Sequence, residues 1–374
     1  RTLAADVIAS RDQPPFAASA MDGYAVRASD LTAAEAELRV VGEAAAGHPF
    51  PQNLRPGEAV RIFTGAPVPS GSDAIVIQED AVRQDENVIV QAIPEPNAHV
   101  RPKGGDFTKG SCLLRRGHCL TSRDIMLAAA NGETSLEVSV RPRVGVLATG
   151  DEVVLPGTPL GEGQIYSSVP AGLAPLIVKF GGEAKRLGIA GDDVVTLTAM
   201  LDASADCDVL VTIGGASVGD HDLVHRALEG LGVDLAFWKV AMRPGKPLMY
   251  GRRKIGDRTQ HILGLPGNPV SGMICGRVFL VPLLDALLCR EEEMEQARAL
   301  MLPLAAPLPQ NGARRHYMRG RYVFENGTRE VVAVESQDSS LMHLLAQSDC
   351  LIVRRRGARA AAAGELVDVL PLDF

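Results

Sequence analysis

The sequence predicts a multidomain protein in which a central, doubly wound α/β domain is joined by an N-terminal β-rich domain, a small linking α/β domain and a C-terminal β domain. Three observations support this. Between residues 142 and 290, apolar β-branched runs alternate with helical patterns, as in a parallel sheet covered by helices. Residues 38–110 and 317–370 instead contain short apolar runs separated by Gly and Pro, which is typical of small barrels or sandwiches. A chain of 374 residues is also too long to fold around one simple hydrophobic core.

Composition narrows the classes of function. The formal net charge is −7 and no long Lys/Arg run is present, so we expect no nucleic-acid partner. The six cysteines show no C-x-x-C spacing, which argues against zinc and a disulfide framework. The most apolar stretch, 273–288, contains Arg277, Pro282 and Asp285, so we expect no membrane span. With no signal peptide visible, we expect a cytoplasmic enzyme.

The N-terminal third is predicted to be mostly β. Residues 1–15 are interpreted as a short helix that ends at Pro14 and Pro15, and strands are predicted at 38–41, 59–63, 74–78 and 88–92. A helix at 121–130 has Thr121 or Ser122 as its N-cap and stops at Asn131 and Gly132.

The α/β pattern begins after Pro142. Strands are predicted at 144–148, 184–189, 209–213, 235–240, 247–250 and 262–265. Helices are predicted at 170–180, 193–203 with Asp192 as cap, 223–231 and 269–288. After an acidic run at 291–293, strands return at 317–324, 329–334, 350–354 and 366–370. The alternation indicates a sheet that is parallel at least in its first strands.

Glycines, acids and helix caps follow four of the predicted strands. In open α/β sheets, ligands bind beyond the carboxyl ends of the strands. The residues in question are Gly150, Asp151, Glu152, Asp192, Gly214, Gly215, Ser217, Asp220, Asp222, Pro266, Gly267, Asn268 and Pro269. A single Asp is more often a helix cap than a ligand, but glycine turns at helix starts favour anions, and acids among them require a cation as well. The pattern predicts a metal–phosphate or metal–oxyanion site.

A basic loop supplies the opposite charge. Arg243 and Lys246 lie in the run RPGKP between two predicted strands, and Lys239 precedes them. When these residues are considered alone, a basic turn exposed to solvent is as good an interpretation as a binding site. Beside the acidic turns, it has the character of a clamp for phosphate or a tetrahedral oxyanion, and we expect acids and bases to face one pocket. The run lacks the spacing of a Walker A loop.

A serine hydrolase is a competing interpretation. GASVG at 215–219 matches G-x-S-x-G and follows a strand, with Ser217 as the nucleophile. Asp234 or Asp257 and then one of three histidines, His261, His316 or His343, would complete the required order.

Two N-terminal segments, SAMDGYAV at 19–26 and IFTGAPVP at 62–69, place Asp22 and Thr64 beside glycines, and RPKGGDFTKG at 101–110 adds Asp106. Such loops are turns more often than sites. They would matter if a dimer placed this domain over the partner's cleft.

Taken together, these stretches resemble the molybdopterin molybdenumtransferase family, which includes bacterial MoeA and the E domain of gephyrin. The matching segments include PPFAASAMDGYAV, RIFTGAPVPSGSDAIVIQED, RPKGGDFTKG, VLATGDEV, GEGQIY, TIGGASVGDHD, FWKVAMRPGKP and LGLPGNPVS, in the family's order and over nearly the whole chain. With this resemblance we expect a linking domain (1–18 and 110–141), an inserted β-rich domain (19–109), a molybdopterin-binding α/β domain (142–290) and a C-terminal β domain (291–374).

The resemblance implies insertion of molybdate into adenylylated molybdopterin with release of AMP, which is the last step of molybdenum-cofactor synthesis. It also implies Mg²⁺, a homodimer with a composite active site, and possible transient contact with the molybdopterin adenylyltransferase. The implied catalytic residues are Asp22, Thr64, Asp106, Glu152, Asp192 and Asp222, of which Glu152, Asp192 and Asp222 would hold the metal. The implied substrate-binding residues are Gly214, Gly215, Ser217, Lys239, Arg243, Lys246, Pro266, Gly267, Asn268, Pro269 and Ser271.

One departure from the family pattern falls near the first strand. After GQIY the family usually has Asp-Ser-Asn, whereas Ser167, Ser168 and Val169 stand here. An acid and an amide of the family pattern are therefore missing here, and we expect no contact from them. A non-catalytic scaffold is the third interpretation, since gephyrin's E domain also binds receptor tails.

Overall fold

The computed structural model describes residues 1–33, 35–215, 223–290, 300–325 and 327–374. The chain forms two compact units. The larger unit contains Arg1–Ala4, Gly117–Cys119 and Val138–Phe374, and the smaller unit contains Ala5–Arg116 and Leu120–Glu137. The division into four domains that the sequence predicts is finer than these units, and it stays a prediction.

A six-stranded sheet is the centre of the larger unit. Its strands are β11 (Arg143–Thr149), β14 (Glu183–Ala190), β15 (Val209–Ile213), β16 (Asp234–Trp238), β18 (Met249–Ile255) and β19 (Arg258–Leu265). Their order is β14-β11-β15-β19-β18-β16. The first four are parallel, as predicted, and β18 runs antiparallel to both β19 and β16. The order of the strands reverses between β11 and β15, which makes this the switch point where such sheets bind ligands.

Helices cover both faces of this sheet. They are α2 (Val169–Lys179), α3 (Val194–Asp202), α4 (Leu223–Gly230), α5 (Pro269–Cys275) and α6 (Val281–Leu287). One core, with Val146, Val211, Leu173 and Ile274 among its members, packs α2 and α5 against the sheet. A second core, which includes Leu210, packs α3 and α4. The doubly wound arrangement follows from strands that are apolar on both faces.

The last helical stretch of this domain is continuous but not uniform. A π-helical segment, Gly276–Leu280, joins α5 to α6. By length and composition, Pro269–Leu287 is the one candidate membrane span within the described residues, and 56% of its most apolar window is buried inside the protein. The side chains of Val270, Ile274, Leu280 and Leu284 belong to the hydrophobic core of the α/β domain.

The C-terminal region is a second six-stranded sheet of the larger unit. Its strands are β17 (Met242–Arg243), β20 (Met301–Pro303), β21 (Arg315–Glu325), β22 (Thr328–Ala333), β23 (Cys350–Arg354) and β24 (Leu366–Pro371), with α7 (Met342–Ala346) beside them. The order is β17-β21-β23-β24-β20, and β22 pairs with β21. Strand β17 was not predicted from the sequence, and neither was the pairing of the basic loop with the C-terminal sheet.

The smaller unit contains a third six-stranded sheet, ordered β6-β3-β5-β4-β8-β7. Its strands are β3 (Gly23–Val26), β4 (Ala36–Ala44), β5 (Glu58–Ile62), β6 (Ala74–Ile77), β7 (Ala81–Gln84) and β8 (Asn87–Val90). Short pairs join β1 (Val7–Ile8) to β10 (Cys112–Leu114) and β2 (Ala18–Ser19) to β9 (Val100–Arg101). Helix α1 (Ser122–Asn131) begins at Thr121, whose hydroxyl and N–H both bond Asp124, and it stops at left-handed Gly132, as predicted.

Two local predictions are wrong. Residues 1–15 contain no helix, because β1 pairs with β10 and the N–H of Ala9 bonds the carbonyl oxygen of Ser111 at 2.8 Å. The cap of α3 is Asp193, not Asp192: the Asp193 carboxylate accepts the N–H of Thr196 at 2.8 Å, so the helix begins one residue later than predicted. Asp192 is thereby free of a capping role.

Candidate functional site

All six strand ends at the carboxyl edge of the α/β sheet carry a candidate residue. Strands β14, β11, β15 and β19 end there, because Thr149 is level with Ala190 and Ile213 with Leu265. Strand β18 begins and β16 ends at this same edge. In sheet order, the candidates are Asp192, Glu152, Gly214, Gly267, Lys246 and Lys239. Acids therefore occupy one end, glycine turns the middle and lysines the other end.

The two charged ends belong to strands that are not neighbours in the sheet. Three strand spacings of about 4.8 Å separate β11 from β18, so the ends of these strands lie on the order of 14 Å apart along the edge. That distance suits a ligand longer than a single phosphate, with one charged group at each end.

Glycine is required in the middle of the edge. Gly214 and Gly215 have φ values of +91° and +64°, which L side chains rarely adopt. A Cβ on Gly214 would lie 2.8 Å from the carbonyl oxygen of Thr149, and a Cβ on Gly267 would lie 3.3 Å from the Cα of Gly214. The N–H of Gly214 bonds the carbonyl oxygen of Leu265 at 3.1 Å. The ends of β11, β15 and β19 are therefore in close contact, through backbone atoms and through the Thr149 hydroxyl, which donates to the carbonyl oxygen of Ile213 at 3.3 Å.

The turn after β19 leads directly into α5. As predicted, Asn268 is the N-cap and Pro269 occupies the first turn. The Asn268 carboxamide oxygen accepts the N–H of buried Ser271 at 3.4 Å, and the Ser271 hydroxyl lies 3.5 Å from the same oxygen. Pro266 is buried, whereas Gly267 is exposed at the edge. The Asn268 cap and Ser271 thus fix the start of α5, next to the turn that contacts Gly214.

Exposed carboxylates lie at the acidic end. Asp151 accepts the N–H of Asp192 at 3.0 Å, which ties the turn after β14 to the turn after β11. The Glu152 carboxylate lies over Gly150, where a Cβ would be 2.4 Å from Oε2. Glu152 and Asp192 are both exposed. Asp151 was among the strand-end residues that predicted a site here, but no individual role was predicted for it.

Part of the predicted site lies outside the described residues. Ser217, Asp220 and Asp222 fall in the gap between 215 and 223. Among the residues that the structure describes, no group of three or more His, Cys, Asp or Glu side chains is placed to hold a metal. The predicted ligand set of Glu152, Asp192 and Asp222 therefore remains a prediction.

Lys239 has an unusual backbone and a fixed side chain. Its φ is +76°, a conformation that costs a residue with a Cβ about 1–3 kcal/mol and often marks functional sites. Its Nζ lies 4.5 Å from the centroid of the Trp238 ring, and the same ring stacks on His225 at 5.0 Å. Trp238 was not predicted as a site residue. Its position directly before Lys239 was the signal in the sequence that could have identified it.

The basic loop is rigid and packed. The N–H of Lys239 bonds Leu248 at 2.9 Å, and that of Val240 bonds the carbonyl oxygen of Lys246 at 3.0 Å. Gly245 has φ +101°, and a Cβ there would lie 2.3 Å from the Cys275 sulfur on α5. The loop therefore packs against the C-terminal end of α5 at Gly245, and the side chain of Lys246 beside it is exposed.

Arg243 belongs to the C-terminal sheet as well as to the loop. It is level with His316 in the parallel pairing of β17 with β21. Burial, and after it the positive charges of Arg243, Arg314 and Arg319, lower the pKa of His316 to about 4. His316 is therefore neutral at pH 7, and positive charge accumulates around it at this end of the edge.

Asp22 and Thr64 are brought together in the smaller unit. The Asp22 carboxylate accepts both the N–H and the hydroxyl of Thr64 at 2.7 Å. These bonds, the backbone one first, lower the pKa of Asp22, and nearby Arg61 contributes. Asp106 is exposed on another loop, where its N–H bonds the carbonyl oxygen of Gln13 at 2.9 Å.

Both candidate acids and one of the three candidate histidines of the hydrolase interpretation lie at the wrong edge of the sheet. His261 is level with Val209, the first residue of β15, and therefore lies at the amino edge, opposite the turn that leads to Ser217. Asp234 begins β16, and Asp257 lies in the turn between β18 and β19, so both are also at the amino edge. With a pKa of about 4, His316 is a poor general base at neutral pH.

Comparisons with known proteins agree with one another along the chain. Family models match three consecutive regions: the MoeA N-terminal region (domains I and II) at residues 1–132, a probable molybdopterin binding domain at 145–286, and the MoeA C-terminal region (domain IV) at 301–372.

Relatives that match over nearly their whole length are named molybdopterin molybdenumtransferase. A molybdopterin molybdenumtransferase from Haemophilus influenzae is 35% identical over 376 residues, covering 100% of this chain and 91% of the relative. One from Synechococcus elongatus is 37% identical over 382 residues, covering 100% and 92%. The crystal structure of a molybdopterin biosynthesis MoeA protein from Pyrococcus horikosii matches with a TM-score of 0.82 and 30% identity, covering 100% of this chain and 92% of that one. The chain belongs to the molybdopterin molybdenumtransferase family.

Proposed function

We propose that this protein inserts molybdate into adenylylated molybdopterin and releases AMP, as the last step of molybdenum-cofactor synthesis. The observation that carries the proposal is the order of groups along one sheet edge: acids on β14 and β11, glycine turns on β15 and β19, and lysines beside β18 and β16. The substrate has phosphates joined in an anhydride and an anionic pterin end, so it needs several anion-binding groups spread along its length.

The glycine turns would hold the phosphates. At Gly214 and Gly267 a Cβ would meet backbone atoms, so only glycine lets the two turns approach this closely. Backbone N–H groups at a strand–turn–helix junction attract anions. Asn268, Pro269 and Ser271 fix this turn, and Ser217 is proposed as a hydrogen-bond donor, not a nucleophile, because phosphoanhydride cleavage needs no covalent enzyme intermediate.

The basic end would hold molybdate and the phosphate nearest to it. Lys246 and Lys239 are exposed at the edge, and Arg243 adds a planar guanidinium on β17. Trp238 supports the Lys239 ammonium, whose position is therefore set before the substrate binds. Pre-positioned cations of this kind stabilise negative charge on a departing phosphate.

The acidic end suits Mg²⁺. This ion prefers oxygen ligands and usually takes one or two carboxylates together with substrate phosphates, which agrees with exposed Glu152 and Asp192 on neighbouring strand ends. Asp222 is proposed as a third ligand. When bound, Mg²⁺ would neutralise charge on the phosphoanhydride. Asp151 holds the backbone of Asp192 and would keep its carboxylate in place.

The remaining proposed residues are in the smaller unit. Asp22, Thr64 and Asp106 are proposed to reach the active site of a partner subunit in a homodimer, at the pterin and metal end. A transient contact with the adenylyltransferase that makes the substrate, and a cytoplasmic location, also belong to this proposal.

The test is reconstitution. The protein is mixed with adenylylated molybdopterin, Mg²⁺ and molybdate, and AMP and active cofactor are measured. We expect both products in equal amounts, and AMP release should be lost in Asp222→Ala while the dimer stays intact. A protein that binds the substrate but never releases AMP would be a scaffold. Labelling of Ser217 by a fluorophosphonate probe would favour the hydrolase.

A further inference from the structure

A cavity of about 670 Å³ lies between the helices of the α/β domain and the C-terminal sheet, both parts of the larger unit. Small-molecule sites commonly have volumes of about 300–1,000 Å³. At its Lys179 end, the cavity lies away from the carboxyl edge of the sheet. Lys179, one of its lining residues, is the last residue of α2, and the 11 residues of that helix run back from the edge over about 16 Å.

The lining of this cavity is positively charged. Five basic side chains and two acidic ones contribute to it, which gives a net charge of +3 (5 − 2). The basic residues are Lys179, Arg277, Arg290, Arg315 and Arg355. Both acids have basic neighbours, with Asp285 at 3.7 Å from Arg290 and Asp368 at 3.5 Å from Arg355. The remaining excess of positive charge calls for an anion.

Arg277 is the most informative of these residues. It is only 8% exposed, and its Nε donates to the carbonyl oxygen of Pro371 at 3.1 Å. Its guanidinium carbon lies 5.4 Å from the centroid of the Phe180 ring. Among the described residues, no carboxylate lies within ion-pair distance of it; Asp373 and Asp285 act on it from farther away. A buried guanidinium with so few partners is costly unless an anion accepts its other N–H groups.

A second arginine and the apolar walls of the cavity also favour an anionic ligand. The guanidinium carbon of Arg315 lies 5.8 Å from the centroid of the Tyr317 ring, and its side chain is exposed. Apolar side chains, among them Val281 and Leu370, complete the wall together with the rings of Phe180 and Tyr317. Cations alone would suit inorganic phosphate, whereas these rings and aliphatic groups favour an anion attached to an apolar body.

We propose that this cavity is a second ligand site, which binds a small molecule with a phosphate or carboxylate group on an aromatic or apolar body. Arg277 and Arg315 would bind the anionic group, and Phe180 and Tyr317 would pack against the body. The site takes no part in the transfer reaction proposed above.

Calorimetric titration of the full chain tests this. The probes are phenyl phosphate, benzoate, inorganic phosphate and phenol. We expect phenyl phosphate or benzoate to bind, the tighter of the two identifying the anionic group, and inorganic phosphate and phenol to bind about tenfold more weakly or worse. Arg277→Met should weaken binding by about tenfold or more, and Arg277→Lys by less, since it keeps the charge. Lys246→Gln, at the sheet edge, should leave this binding unchanged.

Arg315→Gln serves as a second variant, because its exposed side chain can be replaced without disturbing the core. The proposal is overturned if both acids fail to bind the wild-type protein, or if Arg277→Met and Arg315→Gln fold normally and bind the probes as tightly as wild type. It is also overturned if light scattering shows that Arg277→Met dissociates an oligomer while no probe binds, because a second copy of the chain would then cover the cavity.

Discussion

Gly214 lies so close to Thr149 that a Cβ on the glycine would be 2.8 Å from the threonine carbonyl oxygen. Thr149 ends β11, and Gly214 directly follows the neighbouring strand β15, at the switch point of the sheet. Their contact brings the ends of the two strands together at the position where the proposed function needs a phosphate-binding turn.

Gly214→Ala should therefore lose most of its AMP release, about 100-fold, because the turn must move and its N–H groups lose their aim. The positive φ adds a backbone cost of about 1–2 kcal/mol to the free energy of unfolding. Gly364→Ala is the matched control, since it has φ +82° but open space around its Cβ. It should lose similar stability and keep full activity. Wild-type AMP release by Gly214→Ala would contradict the assignment of this turn.

Asp192 and Asp193 are neighbours in sequence with different proposed roles. Asp192→Asn should keep the melting temperature of the wild type and require about 10–100-fold more Mg²⁺ for AMP release. Asp193→Ala removes the N-cap of α3, so it should lower the melting temperature without changing the Mg²⁺ requirement. Thermal unfolding and a Mg²⁺ titration of AMP release separate the two. A metal requirement that shifts in Asp193→Ala instead would reverse the roles.

His316 should make the stability of the protein depend on pH. Its pKa is about 4 in the folded protein and 6.5 when unperturbed. Between those values the unfolded chain binds a proton that the folded chain does not, so the free energy of unfolding falls as the pH decreases from 6.5 towards 4. His316→Gln should make this fall shallower in denaturant titrations at several pH values.

Arg243 contributes to that low pKa, after burial. Arg243→Gln should therefore raise the pKa of His316, as measured by NMR titration of the imidazole. An unchanged value would mean that the arginine side chain does not face His316, and would weaken the case for a shared positive end of the edge.

Thr64 should control the ionisation of Asp22. Thr64→Val removes the hydroxyl that bonds the carboxylate but keeps the backbone N–H, so the pKa of Asp22 should rise towards its unperturbed value of 3.8 without reaching it. Thr64→Ser keeps a hydroxyl and should leave the pKa unchanged. NMR titration of the Asp22 carboxyl carbon measures both. Equal values in all three proteins would show that the hydroxyl bond does not persist in solution.

Strand positions and helix starts were largely readable from the sequence. Strand β15 was predicted at its observed bounds, since four apolar residues and a β-branched threonine, between Asp208 and Gly214, favour a short buried strand. Asn268 and Pro269 were recognised as a helix start because cap and N1 chemistry are local. The placement of candidates at one edge followed from the rule for open α/β sheets.

Long-range pairing was not readable. The N-terminal residues pair with β10 more than 100 positions later, which local helix propensity does not reveal. The pairing of Arg243 with His316 likewise joins segments far apart in sequence. Asp192 and Asp193 have the same side chain and the same intrinsic preference for the N-cap position. Only the backbone geometry shows that Asp193 is the cap. The separation of acids from lysines depended on the strand order, which composition and spacing do not determine.

The proposed function requires that both ends of the carboxyl edge of the α/β sheet act on the same substrate. The most direct measurement is AMP release from adenylylated molybdopterin by Glu152→Gln and Lys246→Gln, at varied Mg²⁺ and molybdate, with unfolding curves as controls. We predict that both variants fold like the wild type, that the first requires more Mg²⁺, and that the second has a KM for molybdate about tenfold higher or more. Wild-type kinetics in both folded variants would contradict the account.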